Sequence, residues 1–392
     1  MNKKYFEFYN PVKIVAGYKS LANLPFELKL IKGLNPLILT DKGVKEAGLL
    51  DKVLKAFSGS TVKPCNIIDD IPSDSSVKIV NSIAEIYKSS GCDSIIAVGG
   101  GSVIDTAKGV NIVVSLNIKN LKEYEGAETI DKKLNPLIVI PTTSGTGSEA
   151  TYVAIISDPD ENVKLAFTSY FILPDLAIID PEMTLTLPQK LTATTSMDAI
   201  THSIEAYTSL QKNPLSDSYA ITSIRLINKY LIKTIKDGKN LENRYSLALA
   251  SLLAGISFSN SMVGIIHSIS HALGGVSHLP HGLANTIILP YGMEFNFEKC
   301  NKLYAELSLH FDIYDIKKSE EENARELISK IFSLQKELKA LTGIPTKLKD
   351  AGVKKADFPK IAEKAVLDGS SIFNCKEFTE EDVINILQKA YE

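Results

Sequence analysis

Cysteine is scarce in this chain: Cys65, Cys92, Cys300 and Cys375 are its four thiols in 392 residues, widely separated and never in a C-x-x-C pair. That pattern offers neither a disulfide framework nor a thiolate zinc site, and the four are expected to be reduced and incidental. An excess of one charge is also missing. With 43 basic and 46 acidic residues the formal charge is −3, which leaves no positive field for a nucleic-acid backbone. No clean apolar run of membrane length occurs either. The most apolar stretch, residues 247–266, is interrupted by serines and Asn260 and runs into His267, so the expectation is one buried helix and no membrane span. Residues 1–10 are aromatic and charged, without the apolar core and small-residue cleavage site of a secretory signal, and the expected compartment is the cytoplasm.

What is present describes an ordinary globular protein of more than one domain. Hydrophobic residues make up 44% and charged residues 23%, enough to bury a substantial core. The length exceeds that at which single cores stop growing. From Pro36 to about Pro181, short β-branched runs at 37–40, 94–98, 137–140 and 176–179 read as buried strands. Between them lie helical patterns such as Val77, Val80, Ile83, Ala84 and Tyr87. This alternation predicts a parallel sheet with helices on both faces. From Leu187 onward the period is helical throughout, at 191–207, 216–236, 244–260 and 324–341. Two Pro-containing turns, Asp180-Pro181 and Leu187-Pro188, mark the change. The reading is an α/β domain over residues 1–185 and an all-α domain over residues 186–392. Open parallel sheets bind ligands beyond the carboxyl ends of their strands, so the active site is expected in the cleft between the halves.

Three strand ends carry phosphate- or ribose-binding chemistry. Gly99-Gly100-Gly101-Ser102 follows the strand at 94–98 and opens a helix. Glycines let a ligand approach the backbone, and a helix N-terminus presents free N–H groups and a positive dipole end. Pro141 to Glu149 follows the strand at 137–140 and crowds hydroxyls and glycines into one loop, with Thr142, Thr143 and Thr146 as donors. Either loop alone is equally well a tight turn or a helix cap; two after two strands favour a dinucleotide. Asp41, ending the strand at 37–40, could accept bonds from an adenosine ribose and would repel a 2′-phosphate, although a lone aspartate there is more often a turn residue. The G-x-G-x-x-G fingerprint is absent, so this is not an ordinary Rossmann site.

Six histidines occur in the chain, and five of them, His202, His267, His271, His278 and His281, fall between Thr201 and Gly282. Asp198 and His202 sit four apart on a predicted helix, as do His267 and His271, so each pair shares a face. Gly274-Gly275 is expected to let the chain turn back and bring His281 to the earlier pair. One histidine alone is usually a satisfied core or surface residue; together they suggest a cation site. Imidazole and carboxylate suit zinc or ferrous iron, and the missing H-E-x-x-H argues against a common zinc protease.

These segments, Gly99 to Ser102, Pro141 to Glu149, Met197 to Tyr207 and His267-x3-His271-x9-His281-Gly282, resemble the iron-containing alcohol dehydrogenases, the group that includes lactaldehyde reductase, butanol dehydrogenase and 1,3-propanediol dehydrogenase. The resemblance implies an N-terminal dinucleotide-binding domain and a helical C-terminal domain, an architecture like that of dehydroquinate synthase. It implies a ferrous ion on Asp198, His202, His267 and His281, with His271 close to the metal without ligating it; zinc suits the same donors. His271 shares a helix face with His267 and is surplus to a four-ligand shell, which makes it the candidate catalytic proton carrier, the alternative being a hydrogen bond that only orients a ligand. It places Asp41, Gly99, Gly100, Gly101, Ser102, Thr142, Thr143, Thr146 and Lys164 around NAD, preferred over NADP. Ser73 stands where a family member often has asparagine, and His278 lies in a variable part of the motif. The implied activity is NAD(P)-linked hydride transfer between a small primary alcohol or diol and its aldehyde. The implied assembly is a homodimer or larger homo-oligomer. A metal- and NAD-dependent lyase or polyol dehydrogenase on the same scaffold is the nearest rival, and a non-catalytic metal or nucleotide binder is the rival of another class. Phe258, nine residues before His267, is a candidate wall of the substrate site.

Overall fold

The computed structural model describes residues 5–161 and 163–392. The chain divides into two compact units. The first comprises residues 9–187 with 239–248. Its strands are β1 (Lys13–Ala16), β2 (Pro36–Thr40), β3 (Asn66–Ile68), β4 (Ser94–Gly99), β5 (Gly126–Ala127), β6 (Leu137–Pro141), β7 (Val153–Asp158), β8 (Val163–Thr168) and β9 (Leu176–Ile179). Its helices are α1 (Leu24–Leu30), α2 (Lys42–Glu46), α3 (Leu49–Ala56), α4 (Val77–Ser89) and α5 (Gly101–Leu116).

Six strands form a parallel sheet in the order β1-β9-β6-β4-β2-β3. The inner strands β2, β4, β6 and β9 are buried along their whole length and almost wholly apolar because both faces are covered, and successive side chains alternate between two cores. Leu37, Leu39, Ile95, Ala97, Leu137 and Val139 pack with Val80, Ile83 and Ala84 of α4 and Ile104 and Val110 of α5. Ile38, Ile96, Val98, Ile138 and Ile140 pack on the other face with Leu24 and Leu28 of α1 and Val53 of α3. Burying each leucine, isoleucine or valine among these contributes roughly 1.5–3 kcal/mol. A second sheet, β5-β8-β7, contains an antiparallel pair, Val153 to Asp158 against Val163 to Thr168. The parallel-sheet reading did not include it, since its strands alternate buried and partly exposed residues in place of a continuous apolar run.

The thiols depart from expectation. Cys65 and Cys92 form a disulfide, with Cα atoms 5.9 Å apart. They precede β3 and β4, the two neighbours of β2. Cys65 N–H donates to Pro36 O and Asp93 N–H to Asn35 O, so both cysteines are drawn to the same end of β2. Sequence spacing could not reveal a pairing made by strand order.

The second unit comprises residues 5–8, 188–238 and 249–392, and no strand occurs among its described residues. The helices of the remaining chain are α6 (Gln189–Thr208), α7 (Pro214–Lys236), α8 (Leu241–Ser259), α9 (Ile265–Ser277), α10 (His281–Ser308), α11 (Glu320–Thr342), α12 (Phe358–Leu367) and α13 (Glu380–Tyr391). The apolar stretch 247–266 is not one helix. It breaks after Ser259, turns through Met262 at φ 66°, and resumes at Ile265. Nor does the chain reverse at Gly274-Gly275, which lie inside α9; that helix runs on to an exposed C-cap, His278, at φ 54°, whose N–H bonds Leu273 O. No described helix is long and apolar enough to cross a membrane.

Candidate functional site

Helix α6 is the scaffold of the polar cluster. Every residue from Ser196 to Thr208 is buried, and the hydroxyls of Thr201, Ser203 and Thr208 turn back onto the carbonyls of Met197, Ala199 and Ile204. Satisfied in this way, a polar sequence can lie in a core. Asp198, His202 and Glu205, at intervals of four and three residues, then project from one face of it.

The neighbouring helices bring the remaining groups. Helix α9 points its first turn at Glu205, whose Oε1 accepts from Ile266 N at 2.7 Å and whose Oε2 accepts from His267 N at 3.3 Å. A carboxylate here satisfies N–H groups that have no partner within the helix and complements the dipole. The same carboxylate meets His267 Nδ1 at 2.5 Å, which leaves Nε2 facing Asp198 Oδ1 at 3.9 Å. At the start of α10, a Cβ on Gly282 would lie 2.8 Å from Thr194 O of α6. Only glycine permits that approach, and it seats His281, with Nε2 3.4 Å from Asp198 Oδ1.

Asp198, His202, His267 and His281 thus each offer a donor atom within 4.8 Å of the others. The first three are buried and His281 is partly so. Burial, reinforced by the charges of His202, His281 and His271, pushes the His267 pKa well down, which keeps its imidazole neutral and its lone pair available. One carboxylate and three imidazoles converging in a buried pocket fit a divalent zinc or ferrous ion. Burial raises the Glu205 pKa to about 7 against the pull of N–H groups from Gly264, Ile266 and His267. The orienting bond from Glu205 to His267 is the arrangement that metal-ligating histidines commonly use.

His271, one turn beyond His267, stacks on His281 with ring centroids 5.2 Å apart at 17°, and its Nδ1 lies 2.9 Å from Asp368 Oδ2. Burial raises the Asp368 pKa, but the charge and hydrogen bond of His271, with bonds from Ser370, outweigh it and hold the carboxylate below its ordinary value. Phe258 stacks on His202, ring centroids 4.2 Å apart at 13°, so it supports that imidazole.

In the sheet unit, the two glycine- and hydroxyl-bearing loops meet. A Cβ on Gly100 would lie 3.1 Å from Thr143 and one on Gly101 3.0 Å from Thr146, while Thr142 N–H donates to Gly99 O at 3.1 Å. Gly100 is the N-cap of α5, leaving that helix's first N–H groups at the loop. Ser102 donates its hydroxyl to Ser73 O, joining the Ile71-Pro72 turn to the same place. Asp41 directly follows β2 and caps α2, its Oδ1 accepting from Val44 N at 2.9 Å. Lys164, on β8, pairs with Asp74 at 2.9 Å.

Sequence reasoning assigned no role to Glu205, Asn285 or Asp368. Glu205 was detectable, since it continues the Asp198–His202 face of a helix. Asn285 lies four residues after His281 and continues its face in the same way. Asp368 is 97 residues from His271, and no spacing rule reaches it.

The comparisons with known proteins agree along the whole chain. Residues 11–181 match the family described as iron-containing alcohol dehydrogenase, and residues 192–391 match the C-terminal region of the Fe-containing alcohol dehydrogenase family. The 1,3-propanediol dehydrogenase of Citrobacter freundii is 34% identical over 395 residues, covering 100% of each chain. The NADPH-dependent butanol dehydrogenase of Clostridium saccharobutylicum is 34% identical over 372 residues, 93% of this chain and 94% of that one. Among solved structures, an alcohol dehydrogenase from Oenococcus oeni superposes with a TM-score of 0.94 at 32% identity, covering 99% of this chain and 100% of that one.

Proposed function

This chain belongs to the iron-containing alcohol dehydrogenase family, an NAD(P)-linked group, and from that premise we propose that it interconverts a small primary alcohol or diol and the aldehyde at a ferrous centre. Asp198, His202, His267 and His281 would hold the ion, and zinc would fit the same donors. The observation that carries the assignment is the convergence of those four donor atoms within 4.8 Å. When bound, a divalent ion supplies Lewis acidity that favours the deprotonated alcohol and polarises the aldehyde carbonyl.

The protein's own groups do the rest. Oxidised nicotinamide, when bound, would accept the hydride of the carbinol carbon in the oxidative direction, which leaves the hydroxyl proton to depart separately. His271 carries that proton, with Asp368 holding its Nδ1 and 30% of its side chain open to solvent. The N–H groups at the start of α5 and the Thr142, Thr143 and Thr146 loop hold the pyrophosphate. Gly99, Gly100, Gly101 and Ser102 shape that approach, and Lys164 adds positive charge at its edge. Asp41 selects NAD, because a carboxylate is repelled by a 2′-phosphate. We assign dinucleotide binding to residues 1–185 and the metal chemistry to residues 186–392. The working form is a homodimer or larger homo-oligomer in the cytoplasm.

The test is a panel of primary alcohols, diols and aldehydes offered, with NAD or NADH, to anaerobically iron-loaded protein. Turnover that appears with iron and disappears with a chelator supports the reading. Cofactor absorbance that never responds to any alcohol or aldehyde, in protein carrying one equivalent of ion, overturns it.

A further inference from the structure

Asn285 sits on α10, four residues after His281, and is fully buried. Its Nδ2 lies 2.6 Å from Asp198 Oδ1, 3.1 Å from His267 Nε2 and 3.1 Å from His281 Nε2. Three of the four groups that converge on the candidate ion position therefore converge on one amide nitrogen, which has two hydrogens for them. The other end of the same side chain has nothing: Asn285 Oδ1 is buried without a hydrogen-bond partner. An unpaired buried carbonyl is unfavourable, so the orientation of this amide is dictated by the lone pairs in front of its nitrogen.

We propose that Asn285 is a place-holder for the cation: in the ion-free protein its amide hydrogens stand where the ion's positive charge would act, keeping the ligand set assembled. The inference rests on reading the cluster as a metal site. A carboxylate oxygen and imidazole nitrogens gathered in a buried pocket need a positive partner, and the partial charge on an amide N–H is a weak substitute for a divalent ion. Those hydrogens cannot stay aimed at the same atoms once a cation binds them, because donor hydrogens and cation repel. Metal entry therefore breaks the Asn285 bonds. A residue that stabilises the ion-free state alone weakens apparent metal affinity by linkage, in the same proportion as it stabilises that state.

The experiment compares wild type with Asn285→Leu, which keeps similar volume without donor or acceptor, and with Asn285→Ala in case leucine disturbs folding. Chelator-stripped full-length protein is titrated with Zn²⁺ against a chromophoric competing chelator, and thermal midpoints are recorded with and without Zn²⁺. Removing the amide should lower the ion-free midpoint by roughly 2–4 °C and tighten Zn²⁺ binding by roughly five- to thirty-fold, the equivalent of one or two lost hydrogen bonds. The rise in midpoint on adding Zn²⁺ should accordingly be larger in both variants than in wild type. Equal or weaker Zn²⁺ affinity in the variants overturns the place-holder role. Failure of wild type to bind Zn²⁺ at all is a different result, and it removes the metal-site reading with it.

Discussion

The two units present ligand groups by opposite means. In the sheet unit the candidate dinucleotide loops offer mainly backbone N–H groups and small hydroxyls at strand ends, where Gly100 and Gly101 pack against Thr143 and Thr146. In the helical unit the candidate ion site is made almost wholly of side chains, brought together from three helices by Glu205, Gly282 and a buried α6. A backbone site survives many side-chain changes nearby, because the main chain supplies its donors wherever the loop holds its shape. A side-chain site depends on each ligand and on the contacts that aim it.

That contrast is broken most directly at His202. His202→Ala should lose bound metal and turnover together, with kcat falling by roughly 10³-fold or more, since several kcal/mol of transition-state stabilisation goes with the ion. Elemental analysis and steady-state rates decide it, and equal metal content in variant and wild type removes His202 from the ligand set. His271→Gln separates ligation from chemistry. It should keep its metal and bind NAD while kcat falls by about 10²–10⁴-fold. Metal lost in parallel with activity would make His271 structural.

On the sheet side, the one side chain expected to matter for selectivity is Asp41. Asp41→Gly should narrow the preference for NAD over NADP by roughly tenfold in kcat/KM at one salt concentration, because it removes a like-charge contact. Wild-type enzyme that uses both equally well would leave Asp41 as nothing more than the cap of α2.

A separate expected effect concerns stability and leaves the ion site untouched. Lys108 and Glu149 are buried near the same loops, Lys108 donating to Thr151 O at 2.7 Å and Val153 O at 2.9 Å. Burial raises the Glu149 pKa from 4.5 to about 7, against its own backbone hydrogen bond and the charge of Lys108. A carboxyl with a raised folded-state pKa binds its proton more tightly in the fold. Its contribution is complete below pH 4.5 and is lost as pH rises through about 7. Glu149→Gln should therefore gain on wild type across that window, by up to about 3 kcal/mol. Urea unfolding at several pH values reads the difference, and a gap that does not change with pH would refute it.

Much of this was legible in the sequence for physical reasons that can be stated residue by residue. Strands buried on both faces leave continuous apolar runs, so β2, β4, β6 and β9 were readable to within a residue. The antiparallel pair β7–β8 was not, because a strand with one wet face and few residues leaves a weak signal. Helix α9 ran through two glycines that looked like a turn, since its neighbours and a left-handed His278 cap set its end.

By itself the sequence determined which atoms are available: one aspartate and several histidines at helical spacing, glycines and threonines after two strands, no thiolate pair for zinc. Spacing of three or four residues is a local property of the helix, and the sequence carries it completely. Only the tertiary structure decided that Asp198 and His202 face His267 and His281, that Glu205 aims one of them, that Asp368 reaches back to His271, and that Asn285 lies among the ligands. Those relations join positions up to 97 residues apart. They are set by how α6, α9, α10 and α12 pack, a cooperative outcome of many small contacts that no single stretch of chain records.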